Sequence, residues 1–282
     1  MNEKSLCLNG NLLSLEKPLI MAILNITPDS FFSESRCQTE QGLLSQIRGF
    51  IRDGADIIDI GACSTRPNAK FANEKEEITR LCFAMDVIRK HFPDILLSID
   101  TFRSLVAKKM VEDYKVALVN DISGGELDGR MFDEIARLSV PYVLTHSKWD
   151  ERNERNLPCC DENFLQEVIS FFSQKTEKLH CLGVKDVILD LGFGFSKSIE
   201  QNYFLLKNMS LFSQFELPLL VGVSRKSMIC NLLQTNPNDA LNGTTVLNVL
   251  ALKHGAKILR VHDVKEARET INLYQFYKTI EL

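Results

Sequence analysis

The sequence predicts an α/β fold, the (β/α)8 or TIM barrel, with a short N-terminal β-hairpin in front of it. Eight short apolar runs recur along the chain, and stretches long enough for a helix separate them. This strand-and-helix unit repeats over roughly 250 residues, which is the length of such a barrel. Each run also stops at a polar residue or a glycine, and these stops are Asn25, Gly61, Asp100, Asn120, His146, Asp190, Ser224 and His262. Because the active site of this fold lies at the carboxyl ends of the strands, we expect the stops to converge on one mouth.

The N-terminal segment predicts the hairpin. In SLCLNGNLLSL, residues 5–15, two alternating runs flank Asn9 and Gly10. Asn-Gly between alternating runs is the strongest short signal for a type I′ turn. We expect the hairpin, residues 1–17, to close the bottom of the barrel, and the whole chain, residues 1–282, to form a single domain.

Long polar loops follow the first two barrel runs. The first loop, ITPDSFFSESRCQTEQ, covers residues 26–41, and the second, ACSTRPNAKFANEKEE, covers residues 62–77. Loops of this kind are the natural lids of a barrel mouth. The segment 147–163 is charged and lacks periodicity, so we interpret it as a solvated surface loop and assign it no chemistry.

Helices are predicted between the runs, for instance from Glu74 to His91 and from Glu162 to Leu182. In the first of these, apolar residues recur at intervals of three and four, at Ile78, Leu81, Cys82, Met85 and Ile88. The last helix, from Lys265 to about Tyr277, carries more apolar surface than one barrel-facing stripe requires. We therefore expect it to pack against a second subunit in a homodimer.

Composition narrows the class of protein. The chain of 282 residues is 45% hydrophobic and carries a net charge of -4, which argues against nucleic acid as a partner. No run approaches the roughly 18 apolar residues of a membrane span, and the amino terminus lacks the apolar stretch of a signal peptide. The eight cysteines show no C-x-x-C spacing, which favours free thiols over a zinc site or disulfides. We expect a cytoplasmic protein with small-molecule substrates and no membrane partner.

Carboxylates and an amide end three of the predicted strands. Asp100 and Asp190 each end an apolar run, where an unpaired charge is costly, and Asn120 adds an acceptor and donors. One such residue alone is as well explained by a hydrogen bond to a loop backbone. Three together favour a shared ligand, and a carboxylate accepts two parallel bonds from the N–H and amino pair of a pterin or guanine ring.

Cationic side chains follow the last strands. Ser224, Arg225 and Lys226 end the seventh, while Arg260 and His262 alternate to one face of the eighth. Loops after these two strands form the usual phosphate site of the fold. Arg66, before Pro67, adds another guanidinium after the second strand. Each cation alone is most simply solvated, and His262 is equally well read as a structural histidine beside Asp263. As a set in an acidic protein, they indicate an anionic substrate.

Other common chemistries lack their signatures. The chain contains no Walker loop, no H-E-x-x-H and no G-x-S-x-G, and LGFGF is too short a glycine pattern for a dinucleotide site. An aldolase-type barrel is poorly supported, because no strand ends in a lysine apart from Lys226 in its SRK context.

Seven segments carry a resemblance to a known family. They are ILNITPDSF (23–31), DIIDIGACSTRP (56–67), SIDT (98–101), NDISGG (120–125), LDLGFGF (189–195), LLVGVSRKSM (219–228) and LRVHDV (259–264). In order and spacing the chain resembles the dihydropteroate synthases from about Leu19 to its end. That family joins 4-aminobenzoate to 6-hydroxymethyl-7,8-dihydropterin diphosphate and releases pyrophosphate, giving 7,8-dihydropteroate for folate biosynthesis.

The resemblance implies a role for each matching residue. Asn25 matches a ligand of Mg²⁺. The pterin pocket is matched by Asp100, Asn120, Asp190, Phe195, Gly222 and Lys226, of which Asp100, Asp190 and Lys226 are implied to be catalytic. The diphosphate clamp is matched by Thr65, Arg66, Arg260 and His262. The surroundings of 4-aminobenzoate are matched by Phe31, Pro67 and Ser224.

The chain departs from the family pattern at several positions. The family commonly has Glu at Cys63, Pro at Leu191, Gly at Ser196 and Met at Ser147, which bears on loop closure, the pocket wall and inhibitor sensitivity. Two other functions stay open. A methyltetrahydrofolate:corrinoid methyltransferase shares the barrel and the pterin-binding carboxylates but needs no diphosphate clamp, and a non-catalytic pterin-binding paralogue would be a binding module.

Overall fold

The predicted hairpin and barrel are both confirmed by the structure, a computed structural model that describes residues 5–26, 40–63, 72–148 and 163–280. The hairpin consists of β1 (Ser5–Leu8) and β2 (Asn11–Ser14), paired antiparallel. Its two turn residues have positive φ, 50° at Asn9 and 80° at Gly10, as a type I′ turn requires.

Eight parallel strands close into the barrel. They pair in chain order, and the last strand pairs with the first: β3 (Leu19–Asn25), β4 (Ile57–Gly61), β5 (Leu97–Asp100), β6 (Leu118–Asp121), β7 (Tyr142–Thr145), β8 (Val187–Asp190), β9 (Leu219–Val221) and β10 (Ala256–Val261). Each predicted apolar run therefore contributes one strand, although the runs that begin at residues 95 and 117 start before their strands and the run 219–223 ends after its strand.

Helices surround the barrel. They are α1 (Glu40–Asp53), α2 (Glu74–His91), α3 (Ser104–Tyr114), α4 (Met131–Leu138), α5 (Phe164–Cys181), α6 (Ile199–Lys207), α7 (Ser227–Leu233), α8 (Leu241–Lys253) and α9 (Val264–Thr279), with 3₁₀ turns at Met209–Phe215 and Pro237–Asp239. Helix α2 has the bounds predicted from its periodicity. It begins with a capping box between Asn73 and Glu76, and Leu81, Met85 and Ile88 are fully buried. None of the described helices is long and apolar enough to cross a membrane.

Alternate residues of each strand face two different apolar layers. One face packs against the helices, for example through Ile58, Val119 and Leu189. The other face fills the barrel near the amino ends of the strands with a layer that also includes Leu6, Leu8 and Leu15 of the hairpin segment; its barrel members include Leu19, Met21, Ile57, Leu118, Val143, Ile188, Leu220 and Ile258. The hairpin thus packs against the apolar interior at the amino end. That the whole chain forms one domain stays a prediction.

Above this apolar layer the inward positions become polar. Two residues further along their strands, the inward side chains are Asp59, Asn120, Thr145, Asp190 and Arg260. Ser98 faces inward beside Asp59, its partner in the β4–β5 register. All of these except Arg260 are at least 94% buried, so the polar layer lies inside the barrel and not on its surface.

The hairpin offers a direct test of how much its contact with the barrel stabilises the protein. Leu8 is 1% exposed and Leu12, on the opposite strand of the hairpin, is 76% exposed. Because a buried Leu→Ala substitution leaves a cavity, we expect Leu8→Ala to lower the free energy of unfolding by about 3 kcal/mol. Leu12→Ala is the matched control and is expected to cost less than about 0.5 kcal/mol. Urea unfolding measures both, and equal costs would contradict the packing described.

Candidate active site

Four strand ends stand in one line across the barrel mouth. In the strand register Asn25 lies opposite Gly61, Gly61 opposite Asp100, and Asp100 opposite Asn120. A Cβ at Gly61 would lie 3.4 Å from Asn25 Oδ1 and 3.6 Å from Asp100 Oδ2. The glycine therefore leaves room between an amide oxygen and a carboxylate. Three of the residues predicted from the sequence, Asn25, Asp100 and Asn120, are brought together here.

Arg260 lies inside the barrel, between two carboxylates. Its Nε donates to Asp59 Oδ2 and its Nη2 donates to Asp100 Oδ2, both at 2.6 Å. The same oxygen of Asp59 accepts from Asn120 Nδ2 at 2.8 Å. Asp59 was not predicted as a site residue. Its signal was present, since it is the one charged residue within the apolar run IIDI, but short apolar runs do not show which residue points inward.

Burial raises the pKa of Asp100 to about 7. The attraction of Arg260 opposes this rise, whereas repulsion from Asp59, Glu77 and Asp121 adds to it. For Arg260 itself, burial would lower the pKa, but the two carboxylates outweigh it and raise the pKa above its usual value. Asp100 therefore titrates near neutral pH, while the guanidinium between the carboxylates stays charged.

Asp190 ends β8, and Lys226 follows the neighbouring strand β9 as the N-cap residue of α7. Asp190 Oδ1 accepts from the Gly192 amide at 2.8 Å, and burial raises the pKa of Asp190 against the attraction of Lys226. The Lys226 ammonium donates to the Phe193 carbonyl at 2.5 Å and lies 4.5 Å from the centre of the Phe195 ring. At Gly222, a Cβ would lie 3.8 Å from Lys226 Nζ, so the missing side chain leaves space beside the ammonium.

Ser224 and His262 are joined at the ends of β9 and β10. Ser224 Oγ and His262 Nδ1 are 3.0 Å apart. Burial first, and then the charge of Arg260, lower the pKa of His262 to about 4, so the imidazole is neutral at neutral pH. In this state His262 can donate a hydrogen bond but carries no charge. Arg225 is engaged elsewhere, because its guanidinium binds both oxygens of Asp263, at 2.6 and 2.9 Å.

Several buried polar atoms of this layer have no hydrogen-bond partner among the described residues. Most of them lie on adjacent strands of the barrel interior: Asp59 Oδ1, Ser98 Oγ, Asn120 Oδ1 and Thr145 Oγ1. An unsatisfied buried polar atom costs about 1–3 kcal/mol, so a cluster of them indicates a site built for a polar ligand.

Lys197 holds the wall of the site. Its buried ammonium donates to the carbonyls of His146, Gly192 and Phe195 at 2.9, 3.0 and 3.1 Å. Gly192 has φ +67°, and a Cβ there would lie 2.0 Å from the His146 carbonyl oxygen. Only glycine fits this approach of two backbones. Lys197 was not predicted either, although a lysine inside the apolar stretch GFGFSK was a possible signal.

Two of the departures from the family pattern have a structural account. Ser196, where the family has Gly, adopts φ 49°, a conformation that favours glycine, and its Oγ donates to the Lys148 carbonyl at 2.7 Å. Ser147, where the family has Met, donates to the Ile122 carbonyl at 2.6 Å. Both hydroxyls thus bind backbone carbonyls close to the site.

Another buried carboxylate, on α2, is linked to the residue that follows segment 64–71. Glu77 on α2 is fully buried, accepts from Thr101 Oγ1 at 2.7 Å and pairs with Arg103. Arg103 also donates to the Ala72 carbonyl at 2.7 Å, at the first described residue after segment 64–71. Burial and the charge of Glu77 raise the pKa of the nearby Cys63 thiol, at the other end of that segment, so Cys63 is a protonated thiol at neutral pH.

Four predicted site residues lie outside the described residues: Phe31, Thr65, Arg66 and Pro67. The described parts of the chain contain no group of three or more His, Cys, Asp or Glu side chains arranged to hold a metal ion. Asn25, the predicted ligand of Mg²⁺, is among the described residues and lies at the end of β3.

Comparison with known proteins identifies the family. Residues 21–262 match the family described as pterin binding enzyme, so the chain belongs to that family. Within it, the chain is similar to dihydropteroate synthases. It is 35% identical to that of Haemophilus influenzae over 95% of this chain and 96% of the relative, and 36% identical to that of Escherichia coli K12 over 94% of each.

Solved structures of dihydropteroate synthases are also similar to this chain. A Yersinia pestis dihydropteroate synthase in complex with a sulfonamide drug superposes with a TM-score of 0.90 at 34% identity, covering 98% of this chain and 100% of that one. A Xanthomonas albilineans dihydropteroate synthase with 4-aminobenzoic acid superposes with a TM-score of 0.88 at 29% identity, covering 99% and 100%. The predicted family is thus confirmed.

The pKa of Asp100 makes the stability of the folded protein depend on pH. A carboxyl pKa raised from 3.8 to about 7 stabilises the fold fully at acidic pH, and this contribution is lost as pH rises through about 7. We expect the free energy of unfolding of Asp100→Asn, which mimics the neutral group, to rise relative to that of the wild type between about pH 4 and pH 8, by up to ~4 kcal/mol, and its Tm to rise with it. Thermal melts at both pH values measure the gain.

The exposed Asp113, paired with Lys109 on α3, provides the control for this experiment. Asp113→Asn is expected to change Tm little at either pH. A difference between Asp100→Asn and wild type that stays constant or shrinks as pH rises would contradict the raised pKa.

Proposed function

We propose that the protein is a dihydropteroate synthase, a transferase of folate biosynthesis that joins 4-aminobenzoate to 6-hydroxymethyl-7,8-dihydropterin diphosphate. The observation that carries this proposal is the layer of unsatisfied polar atoms inside the barrel, next to Asp100 and Asp190. A pterin ring presents N–H and amino donors along one edge, and these suit the carboxylates and the Asn120 oxygen. The similarity to dihydropteroate synthases over most of the chain supports the same function.

The pterin pocket is proposed to consist of Asp100, Asn120, Asp190, Phe195, Gly222 and Lys226. Asn120 and Asp190 bind the polar edge of the ring from adjacent regions of the wall. The open space at Gly222 admits the flat ring beside Lys226. Lys197 fixes the backbone on which Phe195 stands, so the aromatic wall is held before the substrate arrives.

The reaction replaces a C–O bond by a C–N bond. The bond between the exocyclic methylene and the diphosphate breaks, and its electron pair leaves on the pyrophosphate oxygen. The positive charge that remains on the methylene spreads into the dihydropterin ring, where the Asp100 carboxylate stabilises it inside the barrel. The nitrogen lone pair of 4-aminobenzoate then forms the new bond, and that nitrogen releases one proton. No protein nucleophile is needed.

The diphosphate and 4-aminobenzoate are proposed to lie nearer the mouth. Thr65, Arg66, Arg260 and His262 bind the diphosphate, with His262 as a neutral hydrogen-bonding group and the two arginines as cations. Phe31, Pro67 and Ser224 surround the aminobenzoate. Arg260 can bind the diphosphate while it is paired with Asp59 and Asp100, since its guanidinium has N–H donors beyond the two that bind these carboxylates.

Mg²⁺ is the proposed cofactor, held on the protein by the Asn25 side-chain oxygen. An amide oxygen suits this hard ion, and Mg²⁺ commonly binds through one or two protein ligands together with water and substrate phosphates. When bound, the ion would neutralise charge on the leaving diphosphate. The position of Asn25 at the end of β3, beside Gly61, fits this role.

A direct assay tests the function. We expect the protein to release pyrophosphate from the pterin diphosphate only when 4-aminobenzoate is present, and to form dihydropteroate. Asp190→Asn and Lys226→Ala are each expected to lower kcat at least about 100-fold, because they remove a charged group from the reacting centre. Lys257→Ala is the control, since Lys257 donates to the Leu15 carbonyl at the other end of the barrel.

The outcomes of this assay separate the functions left open by the sequence. Binding of the pterin without pyrophosphate release would indicate a binding module, and transfer of a methyl group would indicate the corrinoid methyltransferase. Full activity of Asp190→Asn or Lys226→Ala would refute the roles given to these residues.

We also propose that the protein is a homodimer, joined through α8 and α9. These two helices pack together and expose a set of apolar side chains: Val246, Val249, Leu250, Leu273, Phe276 and Tyr277. Exposed apolar surface of this extent is typical of an interface between subunits.

A cytoplasmic location also stays a prediction, which the five free cysteines among the described residues support.

Light scattering tests the dimer. The chain has a mass of 32.0 kDa, and we expect a particle of twice that mass at micromolar concentration. Phe276→Asp, at a side chain that is 69% exposed, is expected to shift the mass to that of a monomer by placing a charge in the interface. Leu12→Asp, on the hairpin at 76% exposure, is the matched control and should leave the mass unchanged. A monomeric wild type would contradict the proposal.

A further inference from the structure

Asp59 is a fully buried carboxylate that the reaction described above does not use. It faces the barrel interior between Ile57 and Gly61 on the same face of β4, in the polar layer directly above the apolar layer to which Ile57 belongs. Replacing a buried ion pair with apolar side chains is often neutral or stabilising, so folding alone does not require a carboxylate at this position. Its contacts point instead to the site.

Both partners of Asp59 belong to the proposed active site. A single oxygen, Oδ2, accepts from Arg260 Nε at 2.6 Å and from Asn120 Nδ2 at 2.8 Å. A guanidinium is planar and its donors have fixed directions, so a bond at Nε sets the plane of the whole group. The bond from Asn120 Nδ2 likewise turns the other atom of that amide, Oδ1, away from Asp59, and Oδ1 has no partner among the described residues. Asp59 thus determines how two ligand-binding groups are presented.

Asp59 and Asp100 share the guanidinium of Arg260. The guanidinium binds Asp59 through Nε and Asp100 through Nη2. Without Asp59, nothing among these contacts would prevent the guanidinium from turning to bind Asp100 with two parallel N–H bonds, the strongest geometry for such a pair. Asp100 would then face Arg260 more fully, and less of its charge would act on the pterin.

We infer that Asp59 is a positioning residue for the proposed synthase reaction, which orients Arg260 and Asn120 for the pterin diphosphate and keeps Arg260 from pairing fully with Asp100. This inference rests on the proposed function. It concerns one substrate only, because neither Arg260 nor Asn120 belongs to the proposed surroundings of 4-aminobenzoate.

Steady-state kinetics of Asp59→Asn and Asp59→Ala tests the inference. Asparagine keeps the shape and one acceptor oxygen but loses the charge, whereas alanine loses both hydrogen bonds. We expect kcat/KM for the pterin diphosphate to fall about tenfold in Asp59→Asn and about 100-fold in Asp59→Ala, with a rise in the KM for that substrate. The KM for 4-aminobenzoate is expected to stay at the wild-type value in both variants.

The comparison of the two KM values separates positioning from a merely structural role. A variant that folds less completely has fewer active molecules, which lowers kcat and leaves both KM values unchanged. Asp56→Asn is the matched control, because Asp56 Oδ2 also accepts from two donors, the Ile20 amide and Arg268 Nη2, at 2.7 and 2.6 Å. This variant is expected to keep both KM values and kcat.

The outcomes are distinct. Wild-type kcat/KM in Asp59→Ala, or a loss that leaves both KM values unchanged in Asp59→Asn, would overturn the role of Asp59 while the wild-type activity upholds the proposed function. An inactive wild type would overturn the proposed function and this inference with it. Asp59→Asn is close in shape to the native residue, so it allows the measurement if Asp59→Ala does not fold.

Discussion

Three charged side chains, Asp59, Asp100 and Arg260, share one buried space inside the barrel, and the rest of the site depends on their pairing. Burying one carboxylate without a partner is costly, and burying two beside each other is more so. A single guanidinium between them reduces the cost but does not remove it, since the pKa of Asp100 still rises to about 7. The two buried carboxylates are therefore only partly compensated by Arg260, and hydrogen-bond donors on a ligand would compensate them further. These charged groups lie above a well-packed apolar layer, so they are separated from the part of the barrel that stabilises the fold.

The fold was predictable because its signals are local. Apolar runs of strand length, the helical periodicity of α2 and Asn-Gly in the hairpin each act over a few residues, and together they predicted the hairpin and the barrel. The convergence of Asn25, Asp100 and Asn120 was predictable for the same reason, because strand ends of a parallel barrel meet at one face. The position of each residue at the end of its apolar run was enough to predict that they meet.

What the sequence did not reveal were partners between distant strands. Asp59 and Arg260 are 201 residues apart, and no periodicity indicates that they share a hydrogen bond. The neutral state of His262 likewise depends on burial and on the charge of Arg260, which are tertiary properties. Among the described residues, Lys197 donates to backbone carbonyls, and its role appears only when the loop geometry is known. Segments 27–39 and 64–71, with Phe31, Thr65, Arg66 and Pro67, lie outside the described residues, so their predicted roles stay predictions.

The hairpin gives the barrel a blind end. Leu6, Leu8 and Leu15 fill the amino end of the interior, and hydrogen bonds from Asn9 to the Lys115 carbonyl and from Lys257 to the Leu15 carbonyl join the hairpin segment to the barrel. The interior of the barrel is therefore open at its carboxyl end, and molecules enter and leave it from that end. In the proposed reaction, the pterin on the polar layer would therefore enter before the arylamine that binds above it, and the bound arylamine would keep the pterin from leaving. A barrel closed at its amino end would in this way set the order in which the proposed substrates bind and leave.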